Sequence, residues 1–409
     1  MGFRTLTDLP VEVLHLILAH FDDLWLWEHK PTLRSCSLTC RLVRAVALEH
    51  LDFRRLSLSY IETFDPLLEF LRTYPRVAKT VVSLKLAGPI SHPDRLPITT
   101  IDDAIVASIV ELLPKLDSLL LFSFNYVKPT TANTQHAAGP FPLSTFTLRG
   151  HSHPRSSLTC ILSVLSLFTP RHVPEFDLEK FALDEPFEPR FLHRLVDVQR
   201  LRLSHSIAGG PAYTALALQA LSVSLKSDSL QELFVDVDSK ETVGALGKLF
   251  TRAGENITTL TIRTCQYYLS SWARDDWVNP LEGNSQLLDL SACKRLESIT
   301  LPMPFCKTRT RPLSEAVVSI LPRASPTLRK VSITVEHLPT PTTIGNRTIF
   351  KIHDLDKVLS ATRFPHLQEC ELFIDIRCTP LGWAKCKGSA RRALKSLHGR
   401  GLLKVNHRG

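Results

Sequence analysis

The sequence predicts an α/β chain in which a short unit of three helices precedes a long, irregular β/α solenoid of strand and helix repeats. Three observations carry this reading. Residues 10–21 place apolar side chains at helical spacing, later segments alternate a two-residue period with helical stretches, and the excess positive charge collects at the C-terminal end. At 409 residues the chain exceeds one ordinary domain, and its 44% apolar and 22% charged content fits a chain that folds in water around a sizeable core.

The first helix is predicted after Thr7-Asp8, either of which can cap it, with Pro10 in the first turn where its missing N–H costs nothing. Pro10, Val13, Leu14, Ile17, Leu18 and Phe21 form one apolar stripe, while Leu9, Val11 and Leu16 leave the other side partly apolar. Two faces therefore seek burial. Asp22-Asp23 and Lys30-Pro31 bracket a connection, after which residues 32–40 and 41–51 read as two further helices. A unit of about 50 residues has little core of its own and needs a partner or an adjoining domain.

From residue 53 an apolar-x-x-apolar-x-apolar pattern recurs, with starts at Phe53, Val81, Leu116, Leu143, Leu178, Val198, Leu230, Ile257, Leu296, Leu328 and Leu367. Context gives the pattern its weight. Most matches are short alternating segments, such as RLRL, ELFVDV and KVSITV, preceded by helical stretches such as DDAIVASIVELL and ETVGALGKLFTRAG. Strands this short bury their apolar side only by stacking on neighbours. An ordinary doubly wound α/β domain produces the same alternation and stands as the alternative.

Leu9-Pro10-x-Glu12-Val13, Ile17-Leu18, Leu33, Cys36-Ser37-Leu38-Thr39-Cys40-Arg41 and Arg44-Ala45-Val46-Ala47 resemble the F-box, especially in its fungal form, over about residues 5–55. The resemblance implies a module that docks on the Skp-type adaptor and, through it, on a cullin-RING ubiquitin ligase. By position it makes Leu9, Pro10, Val13, Leu14 and Ile17 adaptor contacts, with Leu33, Leu38 and Val43 completing the surface. Val43 stands where the family often has Trp. The later units resemble leucine-rich repeats, and Cys265 alone matches the turn residue of that family, at the end of the unit that starts at Ile257. Three regions follow: an F-box-like module over 1–55, a leucine-rich-repeat-like solenoid over 56–376 and a basic helix or tail over 377–409.

Composition removes several classes. Asp8, Pro10 and Glu12 interrupt what would otherwise resemble a signal peptide, Leu6 breaks a myristoylation motif, and no apolar run approaches the ~20 residues of a membrane span. A cytoplasmic or nuclear location is expected. Nine cysteines without framework spacing fit reduced thiols, Cys36 and Cys40 lack the further ligands a structural zinc needs, and the sequons at Asn256 and Asn346 are expected to stay unmodified. Neither a metal nor a cofactor is expected, and no P-loop, dinucleotide fingerprint or HExxH motif occurs.

Function on such a scaffold is expected on the concave strand face or on loops leaving one strand edge, and insertions at 127–142, 265–286 and 337–350 stand out. The middle one gathers Tyr267, Tyr268, Trp272, Arg274 and Trp277, residue types that dominate interface hot spots. These form a candidate partner site, with tucking back under their own loop as the structural alternative. Residues 376–409 hold nine Lys or Arg and no Asp or Glu, so the rest of the chain is neutral, and Lys385, Lys387, Arg391, Arg392 and Lys395 suit nucleic acid or an acidic partner. Gly150-His-Ser152-His153-Pro154 imitates a nucleophile elbow, yet Pro154 replaces the second small residue that turn needs. The leading expectation is a non-catalytic substrate receptor of a ubiquitin ligase; a repeat scaffold outside such ligases and a serine hydrolase using Ser152 are the alternatives.

Overall fold

A computed structural model describes residues 10–19, 35, 40–50, 53–89, 99–128, 140–149, 156–179, 187–203, 212–264, 280–304, 315–336, 343–346, 350, 352–375 and 379–407. In chain order its strands are β1 (Arg55–Leu58), β2 (Ser83–Ala87), β3 (Thr100–Ile101), β4 (Ser118–Phe122), β5 (Asn125–Tyr126), β6 (Phe141–Arg149), β7 (Phe168–Glu179), β8 (Arg200–Leu203), β9 (Glu232–Val237), β10 (Thr259–Thr264), β11 (Ser298–Pro304), β12 (Lys330–Glu336), β13 (Glu369–Ile374) and β14 (Leu403–His407). Twelve of them make one sheet in the order β1-β2-β4-β6-β7-β8-β9-β10-β11-β12-β13-β14, and β3 pairs with β5 apart from it. Adjacent strands run parallel throughout. The α/β class is thus observed.

Strand order simply follows chain order. A doubly wound domain instead reverses its order at a switch point and covers both sheet faces with helices. Here burial alternates along most strands: in β9 Leu233, Val235 and Val237 are buried while Glu232, Phe234 and Asp236 are only partly covered, and β13 repeats the pattern with Cys370, Leu372 and Ile374. One face is core; the other is the more open, with Pro302 on β11 and Ser332 on β12 buried on it.

Register turns this alternation into rows. Leu56, Leu84, Leu119, Phe146, Phe176, Leu201, Leu233, Leu260, Ile299, Val331, Cys370 and Leu403 align across all twelve strands. The apolar motif thereby acquires a physical meaning. Its first residue is buried two positions before the strand at Val81, Leu116, Val198, Leu230, Ile257, Leu296, Leu328 and Leu367. Leu178 departs from the sequence reading, because it pairs with Leu148 and Leu203 and is therefore the third apolar position of a unit that begins at Val173.

A backbone device repeats with the same spacing. The carbonyl just before one strand accepts two successive N–H groups leading into the next: Gln199 from Gln231 and Glu232, Gln231 from Thr258 and Thr259, Thr258 from Glu297 and Ser298, Glu297 from Arg329 and Lys330, Arg329 from Gln368 and Glu369. Each unit thus fixes the register of the one that follows. Between strands, helices start on capping side chains: Asp102 accepts from Ile105 N–H ahead of the helix Asp103–Glu111, Ser157 from Cys160 ahead of Leu158–Ser166, Ser239 from Thr242 ahead of Lys240–Ala253, and Thr379 from Gly382 ahead of Pro380–Ala393.

One continuous apolar core runs from Ile61 to Val405. It includes Cys386, Ala390, Leu394, Leu397 and Val405, so residues 379–407 belong to the sheet and its helical layer, with β14 as the twelfth strand. The reason lies in spacing: beneath the basic surface of Pro380–Ala393, Cys386 and Ala390 recur at i, i+4 and face inward. At the other end the helices Val11–Ala19 and Arg41–His50 pack on each other and bury Leu14, Val43 and Val46, outside the main core. Of the helix expected over residues 32–40, Ser35 is helical, Cys40 stands outside a helix just before Arg41–His50, and the other residues lie outside the described residues.

Candidate functional site

The first candidate surface is built by the helix Val11–Ala19. Pro10 opens it, its carbonyl accepting from the N–H groups of Val13 and Leu14 at 3.0 and 3.1 Å. The structure separates two sets of apolar residues that the sequence groups together. Leu14 is 2% exposed and, with Val43 and Val46, fills the interface with Arg41–His50, whereas Leu16 is 72% exposed and Val11, Val13 and Ile17 are also open to solvent. Val13, Leu16 and Ile17 stand at i, i+3 and i+4, which puts them on one face beside exposed Pro10. Leu42, on the packed helix Arg41–His50, is a fifth large exposed apolar side chain of this helix pair. Leu14 and Val43 lie under this surface and hold it in place; Leu9, Leu33 and Leu38 lie outside the described residues.

The second surface is the open face of the sheet, where aligned outward positions bring together side chains far apart in sequence. Arg202 on β8 is directly opposite Phe234 on β9, and Arg263 on β10 lies beside the neighbouring Asp236. Both guanidinium groups sit over the Phe234 ring, 4.6 and 4.5 Å from its centroid. The ring quadrupole attracts cations at this distance, worth about 0.5–1 kcal/mol for an exposed pair. Arg202 and Arg263 are exposed and Phe234 is partly covered, so the stack is presented to solvent rather than sealed. Arg200 extends the basic group and pairs with Glu232 at 2.9 Å.

On the same face toward the C-terminal edge, charges close on one another. Lys330 lies 2.7 Å from Glu371 and 3.8 Å from Glu369, Lys404 lies 2.6 Å from Glu369, and Ser332 donates to Glu371 at 3.1 Å. The hydrogen bond from Lys404 is the main reason the Glu369 carboxyl is held below its ordinary value, and the same contact raises Lys404. Between the two charged regions the outward residues of β10 and β11 are Thr259, Thr261, Ser298 and Thr300, all short, hydroxylated and partly covered.

The basic residues read from the C-terminal sequence are also placed. Lys385, Arg391, Arg392 and Lys395 are exposed and Lys387 is partly covered. Asp356 accepts from the N–H groups of Ser396 and Leu397, both at 2.8 Å, and so ties the short helix Lys395–Gly399 to the segment before β13. Tyr267, Tyr268, Trp272, Arg274 and Trp277 lie outside the described residues, as do Cys265 and Ser152.

One buried polar cluster was not anticipated from sequence. The Asp103 carboxylate, 2% exposed, receives the Ser163 hydroxyl and meets the His193 Nε2, each at 2.7 Å. Burial pushes its carboxyl up, but the bonds from His193 and Ser163 and the imidazole charge outweigh burial and hold it below its ordinary value. The residue types imitate a catalytic triad, yet Ser163 and His193 converge on the carboxylate, so in this arrangement the imidazole does not take the hydroxyl proton as a base must. The cluster ties the helices Asp103–Glu111 and Leu158–Ser166 to the segment carrying His193. Among the described cysteines, Cys160, Cys293, Cys370 and Cys386 are buried and form no disulfide, and burial pushes Cys293 and Cys370 up to about 12, which keeps them protonated.

Among the described residues no group of three or more His, Cys, Asp or Glu side chains is placed to hold a metal ion, and no helix is long and apolar enough to cross a membrane. Sequence reasoning passed over Arg202, Phe234 and Arg263 because each is an ordinary outward strand residue on its own. Their signal is positional: Arg202 and Phe234 are each four residues past a motif start, at Val198 and Leu230, so aligning the motifs puts them in one row. No protein-family model and no curated protein matches the chain.

Proposed function

We propose that this chain is a substrate-recognition subunit of a Skp-cullin-F-box type ubiquitin ligase, in which residues 1–55 dock on the adaptor and a leucine-rich-repeat-like solenoid presents a protein target. It transfers no ubiquitin itself. The observation that carries the reading is the exposed apolar face of Val11–Ala19: Val13, Leu16 and Ile17 are open to solvent beside Pro10 while Leu14 anchors the same helix from beneath. A helix of nine residues with so much exposed apolar surface is expected to be covered by a partner. For the second half of the reading, the support is the strict chain order of twelve parallel strands, the repeated double-acceptor carbonyls and the single buried sheet face.

Affinity capture of the full-length chain from cells tests the docking half. The parent is expected to recover the Skp-type adaptor and cullin, and V13D/I17D is expected to lose both while keeping the parent's circular dichroism and melting temperature. A folded V13D/I17D protein that recovers the adaptor as well as the parent would sink the proposal.

A second reading draws on the exposed Lys385, Arg391, Arg392 and Lys395: a repeat scaffold outside ubiquitin ligases, held to nucleic acid by this basic helix. It requires steeply salt-dependent binding of a duplex oligonucleotide that R391A/R392A/K395A abolishes.

A further inference from the structure

We infer that residues 187–194 form a strap that opens as one unit over the helix Leu158–Ser166 and is latched by the contact between Asp103 and His193. Burial is the first observation. All nine residues of Leu158–Ser166 are buried, with Thr159, Ser163 and Ser166 at most 1% exposed, whereas none of residues 187–195 is buried. Phe187 and Leu192 reach the core only in part, and Pro189, Arg190 and His193 are exposed. Thr159, Ser163 and Ser166 recur at i, i+4 and i+7, so the helix turns a hydroxylated face to the strap. Opening therefore gives up little apolar burial on either side.

Polar contacts hold the strap instead. The Thr159 hydroxyl accepts from Glu188 N–H at 3.0 Å, the Ser166 hydroxyl from His193 N–H at 3.2 Å, and the Ser166 carbonyl from Arg194 Nε at 2.7 Å. One bond is contested. The Ser163 hydroxyl has a single proton, and two acceptors compete for it, the Asp103 carboxylate at 2.7 Å and the Phe191 carbonyl at 3.0 Å. Whenever the carboxylate takes the proton, the Phe191 carbonyl loses its tie to the helix.

The latch lies beneath the strap, where the His193 Nε2 stands 2.7 Å from an Asp103 carboxylate that is 2% exposed. A bond to an ionised carboxylate is stronger than one between neutral groups, so this contact outweighs any single hydroxyl tie. On the outer side Glu188 pairs with Lys128 and, at 2.7 Å, with Arg190, but pairs this exposed contribute little and are screened by salt. The strap ends at a fixed point. Val196 is 0% exposed, donates to the Ser224 carbonyl at 2.8 Å and accepts from Lys226 N–H at 2.9 Å. Opening therefore hinges before Val196, leaves the parallel strands paired, and bares the hydroxylated helix face and the Asp103 carboxylate.

The test is hydrogen exchange of the full-length chain, read by mass spectrometry on peptides covering 187–194 and β9 across a series up to about 1 M urea. The amides of Glu188, Phe191, Leu192 and His193 all donate within the closed strap and supply its protection. They are expected to exchange more slowly than in an unstructured peptide, yet about a hundredfold or more faster than β9, at a rate nearly independent of urea. Exchange in β9 is expected to rise steeply with urea, because it requires global unfolding. H193A is expected to speed exchange of 187–194 about tenfold or more, with H193Q in between because a donor remains but no positive charge. A strap peptide with the urea dependence of β9 would overturn the proposal, since it would open only with the whole chain, as would one that exchanges like an unstructured peptide, since it would never be closed. Unchanged exchange of 187–194 in a folded H193A protein would remove the latch; if H193A fails to fold, H193Q decides by the same criterion. None of these outcomes bears on adaptor capture, so the strap and the ligase reading stand or fall separately.

Discussion

The open sheet face carries charge in two places, and they are built in opposite ways. Over β12–β14, Lys330, Lys404, Glu369 and Glu371 satisfy one another at 2.6 to 3.8 Å, and Ser332 donates into the same group. Over β8–β10, Arg202 and Arg263 share the face of the Phe234 ring and Arg200 pairs with Glu232 at 2.9 Å. One region is organised by charges of opposite sign, the other around an aromatic ring, so the two are expected to answer salt and pH differently.

The comparison applies to the open face only, and the buried face gives the way to check that. Leu233 under the arginine stack and Leu372 under the ion-pair ladder are each at most 1% exposed and face inward, Leu233 in the row of Cys370 and Leu372 at the next inward position of its strand. L233A and L372A are each expected to destabilise the chain by about 2–5 kcal/mol, measured by urea unfolding. Similar losses would confirm that the two regions share one core and differ only on the surface; a loss confined to one variant would show that they unfold separately.

Gly247 tests the helical layer behind the same strands. A Cβ there would overlap the backbone carbonyl of Leu287, which has no side-chain freedom to yield. G247A, although it favours the helix Lys240–Ala253 by propensity, is expected to cost about 1–3 kcal/mol through overpacking. A neutral or stabilising G247A would mean that the segment at Leu287 can move away freely.

Much of this arrangement was legible in the sequence. The motif starts at Val81, Leu116, Leu230, Ile257, Leu296, Leu328 and Leu367 all precede observed strands, because an alternating apolar pattern with one buried face has a single register that buries it. Leu178 was misread because two later positions of its unit, Phe176 and Leu178, are themselves apolar and imitate a start. The basic segment 377–409 reads as a tail since charge is obvious along the chain, whereas Cys386, Ala390, Leu394 and Leu397, which hold it to the core, are few and widely spaced. The Arg202–Phe234–Arg263 stack was hidden for a different reason. It exists only between strands, and nothing local in RLRL, ELFVDV or TLTIRT shows which outward residues will meet. Likewise Asp103, Ser163 and His193 come from three separate segments whose meeting depends on helix packing.

The smallest expected effect separates the two charged regions by pH. The Lys404 hydrogen bond holds the Glu369 carboxyl below its ordinary 4.5, so this group favours the folded chain above that pH and ceases to do so as pH falls through the lowered folded value. Lys404 is raised above its ordinary 10.5 by the same contact, so its contribution is complete below that pH and is lost as pH rises through the raised value. E369Q is therefore expected to melt below the parent across the neutral range, by no more than about 2 °C for so exposed a pair, with the difference closing at both pH extremes. Raising salt from about 0.05 to 1 M should shrink it further. R202A, whose cation is held by a ring rather than a carboxylate, should show no closing at acid pH over the same series of thermal melts. Matching pH profiles for E369Q and R202A would mean that Arg202 is held by a carboxylate as well as by the ring, and the contrast between the two regions would fall.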